Sequence, residues 1–117
     1  DSDNAVIQND SMLVEAIVEL SKKGLGIVSV IDSSGNLQGV ITDGDLRRQL
    51  EKGVDIYSLH TQNVMSRGPV TIERGKMAVE ALRLMKEKNV SAVPVVVGNK
   101  VVGTIMLRFI VDAGIIL

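Results

Sequence analysis

The stretch Met12-Leu13-Val14-Glu15-Ala16 returns 65 positions later as Met77-Ala78-Val79-Glu80-Ala81, so the sequence contains an internal repeat. The matches keep their order along the chain and fall at apolar positions, whereas chance similarity would scatter them. A one-residue loop deletion changes the offset to 64 towards the end of the repeat. Further pairs are Ile7 with Ile72, Lys23 with Lys88, Val28 with Val93, Val30 with Val95, Gly39 with Gly103 and Ile41 with Ile105.

Each copy follows the pattern of a βαββα unit. Apolar residues recur at spacings of three and four in the first helix of the unit, and short apolar runs bounded by turn residues indicate the strands. In copy one we predict strands at Ala5–Ile7, Ile27–Ile31 and Leu37–Thr42, and helices at Ser11–Lys23 and Asp43–Lys52. In copy two we predict strands at Val70–Ile72, Ala92–Val97 and Lys100–Met106, and helices at Lys76–Lys88 and Leu107–Ala113.

Individual residues predict where the helices begin and end and where two strands are joined by a turn. Asp10 or Ser11 is expected to cap the first helix. Gly24 and Asn89 stand at equivalent positions just past a helix, and these two residue types best tolerate the left-handed conformation that ends helices. Gly98-Asn99 is short enough to join two strands in a tight hairpin.

The repeat predicts the architecture. One copy is too small to bury both faces of so short a sheet, but two copies packed sheet against sheet, with helices outside, can do so. We therefore expect an α+β fold of tandem βαββα repeats with pseudo-two-fold symmetry. The expected organisation is repeat 1 at residues 5–53, a linker at 54–68 with a helical turn near Asp55–Leu59, and repeat 2 at 69–115.

Composition excludes several classes of function. The 117 residues have a formal net charge of −1, and Tyr57 and Phe109 are the only aromatic residues, which argues against a nucleic-acid partner. With no cysteine and the single histidine His60, neither a metal site nor a cysteine nucleophile is expected. No apolar run is long enough to span a membrane and no signal peptide is evident, so we expect a cytoplasmic location. Without a nucleophile–base pair, we expect no catalysis by this chain and no required cofactor.

The string Gly39-Val40-Ile41-Thr42-Asp43-Gly44-Asp45, together with Val93-Pro94-Val95-Val96 in the second βαββα unit, resembles the CBS domain pair, or Bateman module, over about residues 5–115. Three further stretches are similar to the C-terminal CBS pair of bacterial D-arabinose 5-phosphate isomerases. These are Lys23-Gly24-Leu25-Gly26, Thr42-Asp43-Gly44-Asp45-Leu46-Arg47-Arg48 and Asp112-Ala113-Gly114-Ile115. That family interconverts ribulose 5-phosphate and arabinose 5-phosphate on the route to Kdo, a lipopolysaccharide sugar. The resemblance implies the regulatory part of a larger isomerase.

The resemblance also implies a ligand site that is crossed between the repeats. Asp45 would accept hydrogen bonds from ribose hydroxyls, Thr42 would contact sugar or phosphate, and aliphatic walls from Val70 and Val93 would enclose a base. The free N–H groups at the start of the helix that follows Thr42 favour an anionic group. The expected ligand-binding residues are Thr42 and Asp45 of copy one, Val70, Thr71, Ser91, Ala92, Val93 and Pro94 of copy two, and the arginines Arg108, Arg47 and Arg48.

The mirror-related site is expected to be degenerate. Met106 and Phe109 stand where the Thr and Asp of the motif belong, and Ser29 stands where copy two has Pro94. We therefore predict one occupied cleft.

Simpler interpretations of the charged residues stay open at this point. An aspartate at the position of Asp45 commonly stabilises a helix start without touching a ligand. Arg47 and Arg48 are also typical of a solvated helix face or of an oligomer contact.

Two functions follow from the sequence. The first is a sensor for a nucleotide-like effector such as CMP-Kdo, with AMP or ATP as the broader choice for CBS pairs. The second is a structural module that forms a homodimer through its outer helices and assembles a tetrameric parent enzyme.

Overall fold

A computed structural model describes residues 4–76 and 78–108, which form two sheets of the same design. In the first sheet β2 lies between a parallel β1 and an antiparallel β3, and in the second β5 lies between a parallel β4 and an antiparallel β6. The predicted α+β fold of two βαββα repeats is confirmed. The strands are β1 (Val6–Gln8), β2 (Ile27–Ile31), β3 (Leu37–Thr42), β4 (Ile72–Glu73), β5 (Ala92–Val97) and β6 (Lys100–Met106).

Helices connect and follow these strands. They are α1 (Leu13–Lys23), α2 (Asp43–Glu51), α3 (Thr61–Val64) and α4 (Ala78–Lys88), with a 3-10 turn at Ile56–Ser58. Leu107 and Arg108 are helical directly after β6, as predicted, and the rest of that expected helix lies outside the described residues. The bounds of β2, β3, β5 and β6 coincide with the predicted ones, whereas β1 and β4 begin later and α2 ends one residue earlier than expected.

The start of α1 differs from the prediction. Neither Asp10 nor Ser11 caps the helix: Met12 is the N-cap residue, and its N–H donates to the Glu15 carboxylate at 2.8 Å. The reason is a long-range pairing, since the carbonyl oxygen of Ser11 accepts a hydrogen bond from the N–H of Thr61 and holds this segment extended. The predicted helix ends are confirmed, because Gly24 and Asn89 have φ angles of 65° and 56°.

The two faces of each sheet have different partners. Val28, Val30 and Ile41 are fully buried and share a core with α1 residues such as Leu13. Residues of the opposite face look towards the other sheet, because side chains alternate along a strand. Met106, from β6, accordingly packs into the core cluster of the first repeat.

The second repeat has its own core under α4. Val93 packs with Ala81, Leu82 and Met85, all of them buried. Contact between β2 and β5 joins the two sheets along their centres. Sheet-to-sheet packing with the helices outside is therefore the arrangement that this sequence adopts.

The segment between the repeats is folded tightly against the first sheet. Ser66 pairs with Val40 through two backbone hydrogen bonds of 3.0 and 2.8 Å, and Val64 and Met65 enter the first core. The buried hydroxyl of Thr61 lies 2.7 Å from the carbonyl oxygen of Gln8, to which it donates. This segment therefore fixes the edge of β3, next to which the cleft described below opens.

The tips of the two β-hairpins touch. The N–H of Leu37 donates to the carbonyl oxygen of Asn99 at 2.9 Å, which joins the hairpin of one repeat to that of the other. Within the first hairpin, the backbone N–H of Asn36 donates to the Asp32 carboxylate and holds the pKa of that side chain below its usual value. These contacts close the end of the molecule that is remote from the cleft.

Candidate functional site

A cleft of about 360 Å³ opens between the two repeats. Its volume falls within the range of pockets that hold small-molecule ligands. One wall comes from the first sheet and the start of α2, and the other comes from the loop before β4 and the segment that joins α4 to β5. The lining residues are Gly26, Ile27, Val40, Thr42, Asp43 and Gly44 of repeat one, and Pro69, Val70, Asn89, Val90, Ser91 and Ala92 of repeat two.

The first wall presents the beginning of a helix. Thr42 is the N-cap residue of α2, and its hydroxyl oxygen accepts from the N–H of Asp45 at 3.4 Å. Asp43 and Gly44, the next two residues, line the cleft. The N–H groups of a first helical turn have no partner within the helix and carry partial positive charge, so this wall suits an anionic group.

Asp45 lies behind this wall and does not line the cleft. It is 4 % exposed, and its carboxylate accepts from the N–H of Thr42 at 2.9 Å, the Thr42 hydroxyl at 3.2 Å and the Ser66 hydroxyl at 3.0 Å. The guanidinium of Arg48 forms an ion pair with the same carboxylate. Because a carboxylate offers about four acceptor positions, Asp45 is fully occupied by its own chain.

Two guanidinium groups lie at the rim of the cleft. A Cβ atom built on Gly44 would lie 3.5 Å from Arg48 Nη1 and 3.6 Å from Arg47 Nη2, so both side chains fold back over the start of α2. The Arg48 side chain is 62 % exposed although it reaches the buried Asp45. Arg47 therefore adds a positive charge on the solvent side of the helix start, whereas the charge of Arg48 is paired with Asp45 and Asp43 places a carboxylate in the same turn.

The second wall is mostly aliphatic. Val70 and Val90 face Ile27 and Val40 of the first wall across the cleft, and Ala92 stands at the start of β5. The backbone bends sharply into this wall at Asn89, whose positive φ angle ends α4. Aliphatic side chains on both sides of a cleft suit the faces of a planar ring.

The structure brings some of the predicted site residues together and separates others. Thr42, Val70, Ser91 and Ala92 line the cleft, and Arg47 and Arg48 lie at its rim. Arg108 is exposed in the helical turn after β6.

Three predicted residues of the second repeat lie elsewhere. Val93 points into the core under α4, because it alternates with the cleft-facing Ala92, so the aliphatic wall is supplied by Val90. Pro94 is fully buried within β5. Thr71 lines a separate groove of about 280 Å³ beside α4.

Several lining residues were not predicted. Ile27 and Val40 could have been found from strand register, since Ile27 pairs with Thr42 and therefore shares its face. The other lining residues belong to turns and helix ends. Asp43 and Gly44 lie inside the string at residues 39–45 but were not predicted as ligand contacts, and neither were Gly26, Pro69, Asn89 and Val90.

The mirror-related position is built differently. Met106, the counterpart of Thr42, is buried in the core of the first repeat, and Phe109 lies outside the described residues. The Thr104 hydroxyl donates to the side-chain oxygen of Asn4 at 3.5 Å across this side of the interface. The methionine packs where the first cleft has a polar helix cap.

Within residues 4–76 and 78–108, no cluster of acidic or histidine side chains is arranged to hold a metal ion. The helices described in the same ranges are all too short or too polar to cross a lipid bilayer.

Comparison with known proteins agrees with this architecture. A sequence relative in Yersinia pestis, "Arabinose 5-phosphate isomerase KdsD", is 32 % identical over 110 residues, which are 94 % of this chain and 34 % of the relative. The chain thus spans about a third of the length of the curated relatives it matches.

Solved structures share the fold. CBSX2 from Arabidopsis thaliana in complex with AMP superposes with a TM-score of 0.79 at 25 % identity, covering 96 % of this chain and 87 % of that one. The CBS domain pair of protein MJ0100, in complex with 5′-methylthioadenosine and S-adenosyl-L-methionine, superposes with a TM-score of 0.83 at 23 % identity and covers 95 % and 87 %. The family model "CBS domain" matches twice, at residues 2–52 and 62–113. The chain belongs to the CBS domain family and consists of a tandem pair of CBS repeats.

Proposed function

We propose that this CBS pair binds a nucleotide or nucleotide-sugar in the cleft and passes its occupancy to a sugar-phosphate isomerase domain of a longer chain. The observation that carries this proposal is the pairing of a helix N-terminus at Thr42–Gly44 with an aliphatic wall at Val90–Ala92 across one cleft of about 360 Å³. A nucleotide combines an anionic group with a planar ring, and these two walls complement those two parts.

The attached activity is inferred from the relatives. The matched sequences are named arabinose 5-phosphate isomerase, and this chain accounts for about a third of their length. We therefore propose that the remaining part of the parent protein interconverts ribulose 5-phosphate and arabinose 5-phosphate on the route to Kdo and lipopolysaccharide. In such a protein the CBS pair regulates and does not catalyse.

The proposed effector is CMP-Kdo, with AMP and ATP as the alternatives to be compared. CMP-Kdo carries a cytosine ring for the aliphatic walls and two acid groups, a phosphate and a carboxylate, for the α2 N-terminus and the arginines at the rim. The AMP bound to CBSX2 supports a nucleotide in this type of fold. Binding of CMP-Kdo, a late product of the pathway, would adjust the activity of the isomerase domain to the amount of product present.

The ribose would reach Asp45 by displacing Arg48. The Asp45 carboxylate accepts four hydrogen bonds in the structure, so a sugar hydroxyl can bind only in exchange for one of them. Arg48 is the partner most easily exchanged, because its side chain is 62 % exposed whereas the other partners are held within the fold, and the sugar hydroxyl would replace the hydrogen bond that the buried carboxylate loses. Once released, its guanidinium is free to pair with an acid group of the ligand.

A negative charge introduced at Gly44 tests whether the N-terminus of α2 binds the anionic group of the ligand. Gly44→Glu is expected to weaken nucleotide binding by about 10-fold or more, roughly 1.4 kcal/mol, because its carboxylate occupies the positive end of α2 and competes for Arg47 and Arg48. A Cβ atom at this position meets only ordinary van der Waals contacts, so the variant should fold. Isothermal titration calorimetry with CMP-Kdo, CMP, AMP and ATP measures the effect.

Gly44→Ala is the matched control, since it adds the Cβ atom without the charge. Its affinity should stay within about 3-fold of the parent chain, which is less than 1 kcal/mol. Equal affinities of Gly44→Glu and Gly44→Ala for the nucleotide would contradict binding of its anionic group at the N-terminus of α2. Failure of all four compounds to bind the unmodified chain at millimolar concentration would contradict the proposed function itself.

A structural role is the second candidate. Large apolar side chains are exposed on the outer helices, with Leu50 of α2 63 % exposed and Val18 of α1 60 % exposed. We propose that these faces form a homodimer, which would assemble a tetrameric parent enzyme. A monomer in light scattering at high micromolar concentration would contradict this role.

A further inference from the structure

Ser29, at the centre of β2, carries a buried hydroxyl group without a hydrogen-bond partner in the described part of the chain. The residue is 1 % exposed. An unpaired polar group inside a protein costs free energy, and groups of this kind are rare enough to require an explanation. Its surroundings offer one.

Strand register shows which way the hydroxyl points. Ser29 pairs with Val40 of β3, and the neighbouring pair on the same face is Ile27 with Thr42. Ile27, Val40 and Thr42 all line the cleft. The alternate residues Val28 and Val30 face the opposite way, into the core under α1. The Ser29 side chain therefore continues the cleft wall inwards by one pair of residues.

The equivalent position in the other repeat carries no such group. There the residue is Pro94, fully buried in β5, whose side chain has neither a donor nor an acceptor. The contact between β2 and β5 places this part of each sheet at the interface of the repeats. The backbone N–H of Ser29 donates to the carbonyl oxygen of Ala5 at 2.9 Å, so the strand pairing of this residue is satisfied without its side chain.

We infer that Ser29 is a specificity-determining residue, which hydrogen-bonds a polar atom at the inner edge of the ligand. This inference rests on the proposed nucleotide site and names the part of the ligand that is read there. With the phosphate at Gly44, a base directed inwards brings a ring nitrogen, carbonyl or amino group towards Ser29. A hydroxyl both donates and accepts, so it can pair with any of these groups.

The register gives the depth of the hydroxyl. Ser29 pairs with Val40, two residues before Thr42 on β3, so it lies about 7 Å further along the sheet than the helix cap. A ligand with its anionic group at the start of α2 must extend at least this far to bring a polar atom to Ser29. Ile27 and Val40 line the cleft next to Ser29, so a ring edge reaches the hydroxyl only where these two side chains change rotamer on binding.

Ser29→Ala tests the inference. We expect the affinity for the tightest-binding nucleotide among CMP, AMP and CMP-Kdo to fall by about 10-fold in calorimetry, because the ligand's polar edge loses its partner. The melting temperature of the unliganded variant should stay equal or rise, since the substitution removes an unpaired buried hydroxyl. Ribose 5-phosphate, which has the anionic group and no base, should bind both proteins equally.

The outcomes separate the two proposals. If the unmodified chain binds a nucleotide and Ser29→Ala binds it equally well, the inference about Ser29 is overturned and the nucleotide site stands. A fall in melting temperature together with weaker binding of both nucleotide and ribose 5-phosphate would assign Ser29 a structural role and also overturn it. If no nucleotide binds the unmodified chain, the proposed function fails and the inference fails with it.

Discussion

Replacement of Gly39 by alanine is expected to destabilise the chain by about 2–3 kcal/mol, the cost of overpacking a well-filled interior. A Cβ atom at this position would lie 2.6 Å from the carbonyl oxygen of Ser66 and 3.0 Å from the Met65 side chain. The nearer atom belongs to the backbone and is held by the pairing of Ser66 with Val40, so it cannot move aside cheaply. Urea denaturation followed by circular dichroism measures the change.

Gly103 provides a matched control, because it occupies the equivalent position of the second repeat. A Cβ atom there meets only the Val95 Cβ atom, at an ordinary 3.9 Å. Gly103→Ala should therefore change the free energy of unfolding by less than about 1 kcal/mol. Equal destabilisation by both substitutions would contradict the close packing of the inter-repeat segment on β3.

Asp45→Ala is expected to cost the unliganded chain about 2–3 kcal/mol of stability. The substitution removes the acceptor for the Thr42 N–H and for the Thr42 and Ser66 hydroxyls, and hydrogen bonds to charged groups contribute roughly 1.5–3 kcal/mol. It also leaves Thr42 as a helix cap without its reciprocal partner. Thermal and urea unfolding of the unliganded chain are the measurements.

Asp43→Ala removes the same charge from the same helical turn and so controls for electrostatics. Asp43 is exposed, and we expect the loss to be within about 0.3–1 kcal/mol, the usual contribution of an acid near a helix start. Equal losses of stability in Asp45→Ala and Asp43→Ala would show that the buried hydrogen bonds of Asp45 do not stabilise the fold. Ligand binding would then be the remaining role of Asp45.

These two predictions concern contacts that the sequence does not reveal. The repeat identifies the strands well, because Val-rich and Ile-rich runs bounded by glycine occur twice at the same spacing, and β2, β3, β5 and β6 have the predicted bounds. The segment 54–68 has no counterpart within the repeat, so no repeated pattern marks which of its apolar residues enter the core. Its packing depends on Thr61 and Ser66, two polar residues that bond to distant backbone and side-chain atoms.

In the site, too, the positions of some residues could be predicted from the sequence and their contacts could not. Thr42, Val70, Ser91 and Ala92 line the cleft because they lie at the ends of elements whose order the repeat predicts, or within two residues of such an end. The surroundings of Asp45 could not be predicted, since Ser66 reaches it from 21 residues away and Arg48 folds back from the second turn of α2. The motif identifies Asp45 as a candidate site residue, but only the folded structure shows that its carboxylate oxygens already accept hydrogen bonds from neighbouring groups.

The asymmetry of the two clefts has a physical origin as well. Thr42 and Met106 are equivalent in the repeat, yet the hydroxyl caps a helix at the cleft whereas the thioether packs into the opposite core. Duplication supplied two similar interfaces, and differences of single side chains made one of them polar. Ser29 and Pro94 differ in the same way: they occupy equivalent positions of the two repeats, but only Ser29 carries a hydroxyl group, which has no hydrogen-bond partner in the described residues.

The most direct test of the account is a titration of the ¹⁵N-labelled chain with CMP-Kdo, CMP and AMP, followed by two-dimensional amide spectra. We expect saturable shifts at Thr42, Gly44, Ser91 and Ala92, on both walls of the cleft at once. No shifts at millimolar ligand, or shifts confined to the groove beside α4 near Thr71 and Leu84, would contradict a nucleotide site between the repeats.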